Sequence, residues 1–179
     1  VGIIVLAMIW GFGEATLFFI VPDILITLLA LQQLRRALWA SLYVAIGAVF
    51  GGIVMYYWGK YSLAQALQIL DFIPAISIEM FNEVRQALET QGLPAMFIGA
   101  ITGVPYKIFA VQASVTGIDL LPFIIASLLA RLGRWIALSL LTYGITQTIL
   151  IRWSNLNRYR LLLGIWGIFY VFYFSIMPN

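Results

Sequence analysis

Cysteine and histidine are absent from this sequence, and charge is scarce, at 9% of 179 residues. Without cysteine there is no disulfide framework and no thiolate nucleophile. Without histidine the commonest general base and metal ligand is missing as well. Ser-His pairs, thiol chemistry and the usual metal clusters are therefore excluded, and neither a metal nor another cofactor is expected. A soluble domain carries roughly a quarter charged residues. Here ten bases and seven acids would have to clothe a chain that is 63% hydrophobic. They cannot, so lipid must replace water over much of the surface. The net charge of +3 is small and the bases are scattered, which argues against a nucleic-acid partner. The first apolar stretch contains Glu14 and lacks a basic leader, unlike a signal peptide.

What the chain does have is long apolar runs. A membrane helix needs about 20 such residues. Residues 37–59, 121–151 and 161–177 supply them and predict three transmembrane helices. Stretches 1–33 and 93–119 are each interrupted, by Pro22-Asp23 and by Gly103-Val104-Pro105-Tyr106-Lys107. Neither has the roughly 40 residues that two full crossings require. A re-entrant hairpin with its tip buried in protein fits both, although one kinked span each is the simpler alternative. Between them, in segment 60–91, Ile76, Met80, Val84 and Leu88 recur at helical spacing against Glu79, Glu83, Gln86 and Thr90. This predicts an amphipathic helix on the membrane surface, starting near Pro74.

Overlaying Val21-Pro22 on Val104-Pro105, and Tyr57-Trp58-Gly59 on Thr142-Tyr143-Gly144, outlines an internal repeat. Each unit is one hairpin plus one span, and an odd number of crossings inverts the second copy. The expected fold is thus an all-α integral membrane protein: an inverted repeat, an extra C-terminal transmembrane helix and an amphipathic surface helix, in one domain. Arg35, Arg36, Arg152, Arg158 and Arg160 fall on one side, which the positive-inside rule makes cytoplasmic. Gly47 and Gly51 form a small-residue packing face. Trp58, Trp153, Tyr56, Tyr57 and Tyr159 mark span ends as interfacial aromatics, whereas Trp135 is placed to line a cavity beside Arg134.

Five ionisable residues remain inside apolar stretches: Glu14, Asp23, Lys107, Arg131 and Arg134. Each costs on the order of 3 kcal/mol at mid-bilayer unless paired or hydrated. Both acids belong to the first unit and all three bases to the second, so packing the units together can neutralise most of the set. A tip-to-tip pair of Asp23 with Lys107 is expected. Three bases against two acids leave one base over. Arg131 and Arg134, three residues apart with Ser127 one turn earlier, suit a phosphate held through charge-assisted hydrogen bonds. Glu14, among small neighbours in Gly11-Phe12-Gly13-Glu14, is a candidate proton carrier. Structural ion pairs that only fix helix register are the plain alternative.

These residues resemble the DedA family of membrane proteins, also called the VTT or SNARE-associated family. The likeness runs from Gly13-Glu14 through Val21-Pro22-Asp23, Gly47 to Gly51, Tyr57 to Lys60 and Gly103 to Lys107, to Phe123, Ser127, Arg131 and Arg134-Trp135. The resemblance implies a flippase or scramblase that moves a phosphate-bearing lipid, such as undecaprenyl phosphate or a phospholipid, in a proton-coupled way. It implies no enzyme, and residence in a bacterial cytoplasmic membrane. Residue by residue, it makes Glu14 and Asp23 proton-coupling acids, Arg131 and Arg134 phosphate binders with Lys107 beside them, and Pro22, Pro105 and Tyr106 parts of the hairpin tips. Membrane lipids are the expected partners, and a homo-oligomer is compatible with the sequence. The competing readings are a lipid-binding or partner-binding scaffold without transport, and a carboxylate-only intramembrane hydrolase.

Overall fold

A computed structural model of the chain describes residues 2–148 and 157–176. Among these, eight helices follow one another without a strand: α1 (Gly2–Ala15), α2 (Asp23–Ala30), α3 (Leu34–Leu70), α4 (Ile78–Gln91), α5 (Pro94–Thr102), α6 (Tyr106–Ala113), α7 (Leu120–Thr148) and α8 (Arg158–Ile176). Arg152 and Trp153, used above for orientation and for the interface, lie outside the described residues. The order short, short, long occurs twice, as α1–α2–α3 and α5–α6–α7, with α4 between the two sets and α8 after them.

Local chemistry explains the breaks. Gly103 caps α5 in the left-handed region, with φ 86°, and its N–H donates to the Gly99 carbonyl at 3.1 Å. A side chain there would be strained, so glycine ends the helix. Pro105, next but one, holds extended backbone with ψ 122° and feeds directly into α6. Pro22 also stands directly before its helix, α2, but with helical backbone angles, φ −70° and ψ −3°, and its missing N–H costs the helix nothing there.

Helices α3 and α7 are long and apolar enough to cross a membrane. α3 carries most of the packing, since α1, α2, α6 and α7 all lie against it. The approach of α1 is reciprocal. A Cβ on Gly11 would collide with the Val44 backbone, and one on Gly47 with the Met8 backbone. Here is the small-residue face expected at Gly47 and Gly51, and it brings two backbones into direct contact. Gly59 does the same for α6, where the obstructing backbone is that of Val111.

The connector departs from expectation in two ways. Residues 60–70 continue α3 beyond a kink at Ser62, whose φ −153° and ψ 57° are not helical. The chain then turns at Pro74 and Ala75, and α4 starts only at Ile78, with Ser77 as its N-cap. The predicted stripe is present, because Ile76, Val84 and Leu88 are buried, joined by Phe81. It faces protein, however, not lipid. α4 packs on α5 and α6, and Gln112, buried in α6, donates to the Phe81 carbonyl at 3.0 Å. Periodicity reports an apolar face but not what covers it.

A second departure concerns Tyr56. It is a core residue, 6% exposed, and its hydroxyl donates to the Ile118 carbonyl at 2.8 Å. Tyr57 is exposed and stacks on Tyr61. Elsewhere the outer surface is strongly apolar: Ile9, Ile101, Leu121, Leu141, Ile168 and Val171 are each more than half exposed. So many large aliphatic side chains facing outward from several helices require an apolar solvent.

Candidate functional site

All five ionisable residues singled out in the apolar stretches converge on one region of the bundle. Glu14 comes from the last turn of α1 and Asp23 from the first turn of α2. Lys107 comes from the first turn of α6, and Arg131 and Arg134 from the middle of α7. Acids of the first helix set thus meet bases of the second, as expected. The partners are different from those expected.

Arg131 donates from Nη2 to Glu14, and both side chains are almost wholly buried. Arg134 donates from Nη2 to Asp23 at 2.8 Å. Trp135 adds its indole N–H to the other Asp23 oxygen at 3.3 Å. Asp23 also stands at the start of α2, where the helix dipole favours negative charge. The tip-to-tip pair of Asp23 with Lys107 is therefore absent. α2 packs on α7, which brings Asp23 to Arg134 first.

Lys107 is 3% exposed and donates from Nζ to the Phe18 carbonyl at 2.7 Å. Among the described residues it has no acid partner within 4 Å. The surplus base is consequently the lysine, and neither arginine is free. An ammonium has three donors, and one carbonyl occupies only one of them. Arg131 also keeps something in reserve, since its buried Nε has no hydrogen-bond partner. Its guanidinium lies 4.4 Å from the Tyr106 ring centroid and 4.7 Å from that of Trp135, in contact range for cation–π attraction. Tyr106 is in turn fixed by its hydroxyl, which donates to Ser127 at 2.8 Å. Ser127, Tyr106, Arg131 and Trp135 therefore form one braced unit.

Glu14, Lys107, Arg131 and Arg134 line a cavity of about 140 Å³. Asp23 stands behind Arg134 and Trp135 instead of on its wall. Opposite the charges, α8 contributes Trp166, Phe169, Tyr170 and Tyr173. Two hydrogen bonds fasten this helix: the Val21 N–H donates to the Tyr170 hydroxyl, and the Trp166 N–H to Thr27 Oγ1, both at 3.0 Å. Sequence reasoning missed this aromatic wall. Its signal was the spacing i, i+3, i+4, i+7, which places four rings on one helical face.

An all-helical bundle with membrane-length apolar helices and an internal ionic cluster defines an integral membrane protein. Residues 3–144 match the VTT domain family, and the chain belongs to that family, the DedA family. It is 28% identical over 131 residues to an uncharacterized protein of Haemophilus influenzae, an alignment that takes in 70% of this chain and 65% of that protein. The chain thus matches slightly less than two thirds of that relative's length. No solved structure matches it. α8 lies beyond the last residue of the family match.

Proposed function

We propose that the protein translocates a phosphate-bearing lipid across a membrane, a bacterial cytoplasmic membrane by resemblance, and that Lys107 is the first cation to receive the phosphate. The observation that carries this reading is a buried lysine without an acid partner among the described residues, on the wall of a cavity that also holds two arginines. A buried, unpaired ammonium is costly, and an anion relieves that cost. Arg131 and Arg134 are held by Glu14 and Asp23 until the phosphate arrives. Each can then exchange its carboxylate for a phosphate oxygen, and Nε of Arg131 offers a further donor. In this reading the release of the two carboxylates is the step at which Glu14 and Asp23 bind the coupled proton.

The helix lengths support the hairpin reading. At 1.5 Å per residue, the eight or nine residues of α2, α5 and α6 reach only about 12 to 14 Å, well short of the roughly 30 Å hydrocarbon core. In this reading 1–33 and 93–119 are re-entrant, α3 and α7 cross, α8 is the third span, and the two sets are inverted copies. The lipid tails remain outside in the bilayer while the headgroup passes through.

The test is leaflet exchange of a fluorescent phospholipid in vesicles. The wild-type chain should exceed the protein-free rate, and Lys107→Met and the Arg131→Ala/Arg134→Ala double variant should return to it. Exchange by all three proteins at one common rate above baseline would show the site to be misassigned. Binding of the labelled lipid without any exchange by the wild type would mean that the protein holds the lipid but does not move it.

A further inference from the structure

A second groove lies away from the ionic cavity, on the outer face where α1, α2 and α3 meet. Ile3 and Ile4 of α1, Leu29 of α2 and Ala40 of α3 form its apolar walls, and Arg36, Trp39 and Tyr43 stand along its α3 side. Its volume is about 370 Å³. Arg36 is exposed and, among the described residues, has no ion-pair partner. Trp39 and Tyr43 stack with their centroids 6.2 Å apart. Arg35 and Arg36 immediately precede the apolar run of α3, so this end of the groove lies at headgroup depth, where tryptophan and tyrosine accumulate.

We infer that this groove is a binding site for an anionic phospholipid, with an acyl chain against Ile3, Ile4 and Ala40 and the phosphate on Arg36. Charge complementarity selects the occupant. An apolar trough alone would take any chain, but a trough ending in an uncommitted arginine beside a second one favours a chain that carries negative charge. Residues Ile3 and Trp39 are 51% and 52% exposed, and so reach such a chain without rearranging the core. This site does not depend on transport and shares no residue with the cavity.

Native mass spectrometry of the full chain in detergent, with phosphatidylglycerol or phosphatidylcholine of identical chains, tests it. Wild type should retain more phosphatidylglycerol. Arg36→Gln should lower that retention about fivefold, the worth of one basic side chain at an anionic surface. Ile3→Trp, which fills the groove from an exposed position, should lower retention of both lipids. Lys107→Met should leave this adduct in place, so a failure of the groove and a failure of the cavity are told apart. Equal retention by wild type, Arg36→Gln and Ile3→Trp overturns the assignment. So does an equal loss in Arg160→Gln, an exposed arginine on α8, which would signify general surface attraction. Absence of any adduct on wild type overturns it as well.

Discussion

Glu14 and Arg131 illustrate how a charge survives inside an apolar bundle. Each is the other's main compensation, and removing one leaves the other buried alone. Breaking such a pair typically costs about 3–5 kcal/mol. Glu14→Gln should therefore lower the thermal midpoint in detergent substantially, while the Glu14→Gln/Arg131→Gln double variant should recover part of the loss, giving a coupling energy well above zero. Additive single effects would show that the two do not interact. The sign of each charge and its assignment to one half of the chain were legible in the sequence. The pairing was not, because it depends on how far each helix is rotated about its axis. Asp23 meets Arg134 because α2 rests on α7, and Lys107 is turned toward the Phe18 carbonyl. No spacing within one segment encodes either fact.

Among the elements, the α1–α3 contact is the most demanding. With Gly11 against Val44 and Gly47 against Met8, a methyl group at either glycine must push two backbones apart. Gly47→Ala should destabilise by about 1–3 kcal/mol, as overpacking does. Gly133→Ala in α7, where a Cβ meets nothing within 4 Å, should be neutral or slightly stabilising, since alanine is the better helix former. Thermal unfolding of both variants in the same detergent checks the contrast, and equal midpoints would contradict the packing. Long apolar runs made α3, α7 and α8 legible, although α3 runs on to Leu70, past the end expected at residue 59. The kink at Ser62 was hidden, because serine there has no local signature. The cover over α4 was hidden too, since an amphipathic stripe looks the same whether lipid or α6 lies against it. The aromatic face of α8 was readable and overlooked, because 161–177 was read only as an apolar span.

For the molecule as a whole, the two helix sets meet through the ionic cluster, and Glu14, Arg131 and Arg134 both join the halves and face the cavity. If phosphate entry frees Glu14 to take a proton, a pH gradient should accelerate lipid exchange by the wild type in vesicles. A Glu14→Gln variant that retains its fold should exchange at a rate indifferent to the gradient. An identical gradient response in both proteins would remove Glu14 from the coupling. The cluster bears on biosynthesis as well. Glu14 lies 117 residues before Arg131, and Asp23 lies 111 before Arg134. At roughly 5–20 residues per second, a ribosome needs on the order of ten seconds to deliver the bases after the acids. Throughout that interval the first half of the nascent chain holds two carboxylates whose counter-ions have not been made. Until α7 arrives, the ion pairs that offset the cost of burying those two carboxylates in lipid cannot form.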